Sequence, residues 1–501
     1  MINVETKIHD NFSVEFKIGF VPQNKNEDND FKINTWLFIP NSLDINPSNY
    51  GKDQFYRDVK SNIRLITPQF TLDNIVGKTS IPFIKLVKHT REYIVNPSLK
   101  NFTKFEYHIK MLGAICKSSA RNLTYKITSS HNAKNICKWS KSYIDNAEDI
   151  ITTYRSYKIN QIFEDNEAYK PLVYADEYLS QTFEMYSFRI INKINDVLKH
   201  KDKYQKYDTE IVQSLIKLKK SFLDFLVKEK DYQSQHNFLF IKSANDKNNR
   251  NVVYRYSLLK KFIESDMYIK LHKKQDAFAI RQVLYGISAG MAMVFATVIA
   301  FSVKWKYGSV SLPLFIALVI SYIFKDRIKE FMRVFFDIKI TSKYYDDKAA
   351  INISKSKVGW VKEAVEFIKD KNTPKEVLKL RNRSSLLQYE NEIFDEKIIL
   401  YRKRVFLDGE KLSKHGAYKT TGINDIMRFH LNRFVQKTDN PVLNLQFINK
   451  DNEIDLAKAQ KIYYINIIMQ FIYNNQFEYK RFRIVFVRTG IIDVQDENNI
   501  N

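Results

Sequence analysis

Two neighbouring runs without a charged residue, near the middle of the chain, constrain the fold more than any other feature. The first run, 282–303, reads QVLYGISAGMAMVFATVIAFSV. At a rise of 1.5 Å per residue, a helix of this length crosses a hydrocarbon layer of about 30 Å. The second run, 308–324, is shorter, and Pro313 lies near its start, where a missing N–H costs a helix least. Because hydrocarbon offers the backbone no hydrogen-bond partner, we expect two membrane-spanning helices here.

The alternative interpretation is a buried helical pair inside a large soluble domain. In this chain 27% of the 501 residues are charged. In so highly charged a chain, the remaining sequence is poorly suited to shield two adjacent apolar runs from water. We therefore expect a transmembrane hairpin over 280–324, with spans at about 282–303 and 308–324.

Basic residues flank this predicted hairpin, whereas its connecting loop contains only Lys304 and Lys306. The positive-inside rule then places both large flanking domains, and both termini, in the cytoplasm. The opening residues, MINVETKIHDNF, lack the apolar core of a signal peptide, so we expect the first span to act as the insertion signal. The predicted localisation is the cell (inner) membrane, with a multi-pass topology.

Two groups of side chains in this region are candidates for contact with lipid. Trp305 and Tyr307 lie where interfacial aromatic residues belong. The expected partner of the basic residues is the anionic headgroup layer of the inner leaflet, and these residues are Lys273, Lys274, Arg281, Lys325, Arg327, Lys329 and Arg333.

Small residues recur along the first span and predict close helix packing. Gly286 and Gly290 form a G-x-x-x-G pair, and a second series places a small residue at every fourth position, at Ser288, Ala292, Ala296 and Ala300. Small side chains let two helices approach closely in lipid. Packing against the second span is the favoured interpretation because that helix is tethered nearby; self-association is the alternative, and such spacing also arises by chance in any Ala-rich span.

The segment 325–336, KDRIKEFMRVFF, predicts a basic amphipathic juxtamembrane helix. Its apolar residues follow helical spacing, and basic residues surround them. It fits an interfacial helix, a continuation of the second span, or a helix whose apolar face docks on its own domain.

The predicted fold class is an α+β membrane protein. We expect an N-terminal cytoplasmic domain, 1–275, that opens with a β-hairpin (strands 12–21 and 31–40) and continues as helices. The C-terminal cytoplasmic domain, 340–495, is expected to contain helices at 355–371 and 423–437 and an antiparallel β-meander near its end. The predicted hairpin brings 280 and 326 together, so the N-terminal strands are placed to extend the C-terminal sheet.

The formal net charge of +24, from 80 Lys and Arg against 56 Asp and Glu, allows an acidic partner. Clusters such as Arg402, Lys403 and Arg404 suit phosphate contacts, but no nucleic-acid module accompanies them, and solvated surfaces are the favoured interpretation. No specific nucleic-acid partner is predicted. The two cysteines, Cys116 and Cys137, do not suffice for a disulfide-built secreted protein.

One short motif suggests hydrolysis. Gly286-Ile-Ser288-Ala-Gly290 matches G-x-S-x-G, and this fragment resembles the serine hydrolases of the patatin-like lipase family. The resemblance covers about ten residues and implies that Ser288 is a nucleophile on a strand-to-helix turn. Such families also need a Gly-rich oxyanion loop and an Asp, often before Gly; here the sole Asp-Gly pair is Asp408-Gly409, and no Gly-rich segment precedes Ser288.

Other motifs are weaker. Gly77-Lys78-Thr79 resembles the end of a P-loop, but the first Gly of that motif is missing. Glu478-x-Lys480, with Asp451 or Asp455 upstream, is similar to a metal-dependent nuclease core, although a solvated strand face explains the same spacing. The histidines and cysteines show no metal-ligand spacing, so no cofactor and no metal site are predicted.

The sequence therefore predicts a non-enzymatic, membrane-anchored scaffold or regulator with cytoplasmic domains. It leaves open a homo-oligomer or a protein partner. The alternatives are an oligomeric channel or transport component, with Ser309, Ser311 and Ser321 lining a pore, and a membrane-bound hydrolase or metal-dependent nuclease.

Overall fold

The computed structural model shows a mixed helix and sheet architecture with antiparallel sheets, which confirms that part of the predicted fold class. It describes residues 2–23, 28–76, 80–161, 166–200, 203–205, 208–276, 278–308, 312–353, 356–414, 418, 421–439 and 442–497. The chain divides into two compact units. The first unit contains Met1–Arg64 and Ile269–Asn501, and the second unit contains Leu65–Tyr268.

The strands of the described residues form three sheets. A four-stranded sheet has the order β1-β2-β9-β4, an eight-stranded sheet has the order β14-β13-β12-β3-β8-β7-β6-β5, and β10 and β11 pair alone. The strands are β1 (Ile2–Asp10), β2 (Ser13–Phe20), β3 (Asp28–Ile39), β4 (Val59–Leu65), β5 (Lys273–Gln275), β6 (Asp347–Ile353), β7 (Ser356–Ile368), β8 (Lys397–Asp408), β9 (Ile423–His430), β10 (Val442–Ile448), β11 (Ile454–Gln460), β12 (Tyr463–Tyr473), β13 (Gln476–Val487) and β14 (Gly490–Asp496).

Thirteen α-helices accompany these strands in the described residues. They are α1 (Lys52–Asp58), α2 (Ile81–Val95), α3 (Leu99–Ser129), α4 (Ala133–Ile159), α5 (Asn166–Lys199), α6 (Thr209–Gln235), α7 (Asn249–Glu264), α8 (Phe278–Tyr307), α9 (Leu312–Lys343), α10 (Lys375–Arg381), α11 (Ser385–Phe394), α12 (Gly409–Lys414) and α13 (Asn432–Gln436).

Both predicted N-terminal strands are present, as β2 and β3, but they do not pair with each other, and the hairpin that opens the chain is β1–β2. β1 pairs with β2, and β2 pairs on its other side with β9. β3 instead lies inside the eight-stranded sheet, between β12 and β8. Aromatic side chains join the two larger sheets; the rings of Phe16 on β2 and Phe482 on β13 lie 5.7 Å apart. The N-terminal strands therefore share one core with the C-terminal region.

This grouping differs from the boundaries predicted from the sequence, 1–275 and 340–495, because long-range strand pairing joins Met1–Arg64 to residues beyond 269. Of the two predicted helices, 355–371 is wrong, and 423–437 is helical only over α13. Residues 356–368 form β7, which pairs with β6 and β8, and residues 423–430 form β9. Pairing on both sides of β7 outweighs the weak helical spacing of its Lys and Glu residues.

The second unit is built from the helices α2 to α7. The spacing of α6 predicts an apolar stripe that begins at Ile211; its other members, Leu215, Leu218, Phe222 and Phe225, are buried, and Ile211 is half-buried. Asp208 caps α6 by accepting a hydrogen bond of 2.8 Å from the backbone N–H of Ile211. A network of charged side chains also lies between α4, α5 and α6.

Candidate membrane site

Helix α8 contains a segment that is long and apolar enough to cross a membrane, Phe278–Lys306. Only 11% of its most apolar stretch is buried within the protein. No second helix in the described part of the chain is both long and apolar enough to cross a membrane. The described part omits 309–311, which belong to the predicted second span. A transmembrane hairpin of two helices is therefore not confirmed, whereas one helix with the length and composition of a span is present.

Helices α8 and α9 pack against each other in antiparallel orientation. Far from their connection, the hydroxyl of Tyr285 lies 2.8 Å from Oδ1 and 2.7 Å from Oδ2 of Asp337. The Nε of Arg281 lies 3.4 Å from Asp337 Oδ1. Helix α9 is continuous from Leu312 to Lys343, so the predicted juxtamembrane helix 325–336 continues the second apolar run.

The small residues of α8 lie on two different faces. Ala292 is fully buried, and Ala296 and Ala300 are half-buried. Gly286 and Gly290 are exposed, and a Cβ added to either would meet no atom within 4 Å. The alanines therefore share the more buried side of the helix, while the two glycines lie on its open side.

The predicted headgroup residues have different surroundings. Lys273 Nζ lies 2.5 Å from the buried carboxylate of Glu363. Lys325 Nζ lies 4.0 Å from the centre of the Tyr322 ring, and Arg333 forms an ion pair of 3.8 Å with Glu330. Lys274 and Arg327 are exposed, and Lys329 is half-buried. Of the aromatic pair, Trp305 is 94% exposed, and the side chain of Tyr307 lies outside the described positions.

The two helices connect directly to the edge of the eight-stranded sheet. Two residues separate the edge strand β5 from α8, and three residues separate α9 from β6, with which β5 pairs. The backbone N–H of Asp276 donates to the carbonyl of Asp346 at 3.0 Å, and the Asp346 N–H donates to the carbonyl of Glu363 at 2.8 Å. Lys362 forms an ion pair of 2.8 Å with Asp276. The base of the helical pair is thus part of the sheet.

Behind this base lies a buried charge cluster, which we define as Ser61, Glu363, Tyr401, Lys403 and Asp425. Lys403 Nζ lies 2.9 Å from Glu363 Oε1, donates to Ser61 Oγ at 2.8 Å and forms an ion pair with Asp425. Tyr401 donates its hydroxyl proton to Glu363 at 2.9 Å. Four strands, β4, β7, β8 and β9, therefore meet at one ammonium group.

The charges of the cluster stabilise each other against burial. Burial by itself raises the pKa of Glu363, but the ammonium groups of Lys403 and Lys273 outweigh it and lower this pKa to about 2. Burial by itself lowers the pKa of Lys403, and the Asp425 and Glu363 carboxylates outweigh it and raise that pKa. Glu363 and Lys403 therefore stay ionised through the neutral range, as in a structural ion network.

This pKa shift gives the cluster a pH dependence. Because the pKa of Glu363 falls from 4.5 to about 2 on folding, its stabilisation is complete above about pH 4.5 and is lost as the pH falls toward 2. We expect the difference in free energy of unfolding between the native protein and Glu363→Gln to shrink over that interval. Denaturant titrations of the detergent-solubilised chain at several pH values measure this difference in free energy of unfolding. A difference that does not change with pH would contradict the lowered pKa of Glu363.

The two enzyme-like motifs within the described residues, at Ser288 and at Glu478-x-Lys480, are not assembled into a reactive arrangement. Ser288 lies within α8, not on a strand-to-helix turn, and its hydroxyl donates to the carbonyl of Leu284 at 2.8 Å. Glu478 and Lys480 are 3.6 Å apart on β13, whereas Asp451 and Asp455 belong to the separate β10–β11 hairpin. The Gly77-Lys78-Thr79 segment lies outside the described residues. Within the described ranges, no group of three or more His, Cys, Asp or Glu could hold a metal ion.

Sequence reasoning missed the buried charge cluster. Their adjacency in the sequence predicts one basic surface for Arg402, Lys403 and Arg404, but strand alternation separates Lys403 from the other two. Arg402 and Arg404 form ion pairs with Glu366 at 3.2 Å and with Asp30 at 2.7 Å, on the opposite face of β8. The signal was present in the sequence, because Lys403 stands in the alternating row of Ile399, Tyr401, Val405 and Leu407, whose other members are apolar or aromatic.

Comparison with known proteins gives no functional assignment: no protein-family model, no curated protein and no solved structure matches this chain.

Proposed function

We propose that this protein is an integral protein of the cell membrane in which the helices α8 and α9 anchor a cytoplasmic scaffold or regulator. In this proposal α8 spans the bilayer, α9 returns the chain, and both compact units stay on the cytoplasmic side. Anionic inner-leaflet lipids contact the basic residues near the base of the helices.

The observation that carries the proposal is the exposed apolar surface of α8. Val294, Val298 and Phe301 lie on one side of the helix and are 62%, 58% and 70% exposed. Trp305 continues the same exposed region at its end. Water-soluble proteins rarely leave a contiguous apolar surface of this extent uncovered, and a bilayer covers it without a protein partner.

The direct connection of α8 and α9 to the eight-stranded sheet supports the proposed role as a scaffold. β5 and β6 hold the start of α8 and the end of α9 side by side, and the buried charge cluster lies directly behind them. A membrane anchor joined in this way holds the first unit close to the inner leaflet, rather than letting it move on a long linker. This places the eight-stranded sheet where a membrane-proximal partner can bind it.

Charged substitutions on α8 test the anchor. We expect Val294→Asp combined with Val298→Asp to reduce the fraction of protein that resists alkaline carbonate washing from nearly all to a minority, because an aspartate at the centre of a span costs about 2.5–3.5 kcal/mol. Leu443→Asp is the matched control, since Leu443 is 62% exposed on the separate hairpin β10–β11. Membrane sedimentation followed by immunoblotting measures the retained fraction.

The same preparation tests the topology. Protease added outside intact cells is expected to leave both compact units undigested, because both lie in the cytoplasm. Release of the unmodified protein by carbonate, or digestion of either unit from outside, would contradict the proposal.

A further inference from the structure

A cavity of about 430 Å³ lies next to the start of β12 in the first unit. It is lined by residues of α11, by the first residues of β12 and by the residues that follow β3, and Arg483 reaches it from β13. Small-molecule sites in proteins usually have volumes of about 300–1,000 Å³. The volume of this cavity therefore suits one small molecule.

Cations outnumber carboxylates among the residues that line this cavity. The cations are Arg381, Arg383, Lys461 and Arg483, and the carboxylates are Glu390 and Glu396. Glu396 binds two of these cations, since its Oε1 accepts from Arg381 at 2.9 Å and its Oε2 accepts from Arg383 at 3.0 Å. Glu390 is exposed. The lining of the cavity therefore carries an excess of positive charge, which favours an anionic ligand.

Two of the guanidinium groups are held in place while keeping donors for a ligand. In the described residues, Arg381 donates to Glu396 through Nε and Nη2, which leaves its Nη1 group available. Arg483 contacts Asn466 through Nε at 3.4 Å and Glu497 through Nη2 at 2.7 Å, which again leaves Nη1. Oriented guanidinium groups of this kind suit the oxygens of a phosphate.

The arginines near this cavity also repel one another. Arg481 lies two residues before Arg483 on the same face of β13, and both form an ion pair with Glu497. Burial, together with the positive charges of Arg483 and Arg381, lowers the pKa of Arg481, although the Glu497 carboxylate opposes this change. An anion bound in the cavity would reduce this repulsion.

Aromatic side chains line the same cavity. Tyr464 and Phe394 are 44% and 56% exposed. The guanidinium carbon of Arg483 lies 5.6 Å from the centre of the Tyr464 ring. A flat ring stacked on Tyr464 would therefore hold an attached phosphate within reach of Arg483.

We propose that this cavity binds a nucleoside monophosphate, with the phosphate at Arg381 and Arg483 and the base against Tyr464. The inference goes beyond the proposed membrane anchoring and does not depend on it, because none of these residues belongs to α8 or α9. It gives the proposed regulator a soluble ligand to which it responds.

Isothermal titration calorimetry of the full chain, purified in detergent, tests the inference. The probes are adenosine monophosphate, uridine monophosphate, adenosine and inorganic phosphate. We expect at least one nucleotide to bind about tenfold or more tightly than inorganic phosphate, because stacking adds to the phosphate contacts. Adenosine, which lacks the phosphate, should bind at least about tenfold more weakly than its monophosphate. Tyr464→Leu should remove most of the advantage of the nucleotide over inorganic phosphate.

Matched variants separate the cavity from general attraction to a basic surface. Arg483→Gln should weaken nucleotide binding at least about tenfold. Arg404→Gln is its control, since Arg404 is similarly exposed and forms an ion pair with Asp30 on the same sheet. Lys461→Gln and Lys437→Gln are a second pair: both lysines are 47% exposed and form an ion pair with an aspartate, and Lys461 lines the cavity. Lys461→Gln should weaken binding at least about threefold, whereas both controls should leave it unchanged.

Three results would overturn the inference. The first is that neither nucleotide binds at millimolar concentration. The second is that inorganic phosphate binds as tightly as both nucleotides, which would exclude a nucleotide site. The third is that the cavity variants and their controls weaken binding equally. None of these results bears on membrane anchoring, which the carbonate experiments test separately.

Discussion

Replacement of Lys403 by Met is expected to lower the free energy of unfolding of the first unit by about 3–5 kcal/mol. Lys403 is 2% exposed and is the cation shared by Glu363 and Asp425, which are 4% and 0% exposed. Methionine has a similar length but no charge, so the two carboxylates would remain buried beside each other. Hydrogen exchange of peptides from β8 and β9 in denaturant measures the loss.

The neighbouring residue supplies the control. Arg402 lies on the opposite face of β8, half-exposed, in an ion pair with Glu366. Arg402→Met should cost less than about 1 kcal/mol, because ion pairs near solvent contribute little. Adding Glu363→Gln and Asp425→Asn to Lys403→Met should recover part of the lost stability. If Arg402→Met and Lys403→Met lowered the free energy of unfolding equally, the predicted stabilising role of the buried charge cluster would be wrong.

A loss of similar size is expected in the second unit for Arg155→Met. Arg155 on α4 forms two hydrogen bonds of 2.8 Å with Glu229 on α6 and one of 3.1 Å with Asp176 on α5. Its guanidinium carbon also lies 3.3 Å from the centre of the Tyr232 ring. Its removal leaves Glu229 buried without its bidentate partner, which should cost about 3–5 kcal/mol.

Fluorescence of Trp139 measures this loss, because Trp139 is the sole tryptophan in the sequence of Leu65–Tyr268. Replacing the other tryptophans by Phe isolates its signal. Lys228→Met is the control: Lys228 and Glu148 join the same pair of helices at 3.8 Å, but both side chains are well exposed. A shift in the unfolding midpoint as small as that of Lys228→Met would contradict the predicted role of Arg155.

Much of the local structure could be predicted from periodicity. The buried stripe of α6, its cap at Asp208 and the antiparallel strands β12 to β14 follow from spacing and turn residues within one segment. The errors at β7 and β9 arise where a short segment fits either period. There the neighbouring strands decide the outcome, and those neighbours are distant in sequence.

The candidate site shows the same division between local and long-range information. Composition alone identifies α8 as the apolar helix and marks the basic residues around it. It does not reveal that Lys273 pairs with Glu363, or that Gly286 and Gly290 lie on the open side of α8. Those facts depend on where the helix meets the sheet and on how it is rotated against α9.

By itself the sequence determined that one central segment is apolar enough for a bilayer and that helices and antiparallel strands surround it, because hydrophobic length and periodicity are properties of consecutive residues. Only the tertiary structure decided that β3 lies inside the C-terminal sheet rather than at its edge, that Lys403 is buried among carboxylates, and that Tyr285 of α8 meets Asp337 of α9. These three results depend on pairing between segments distant in the chain, and the free energy of such pairing comes from contacts that no single segment contains.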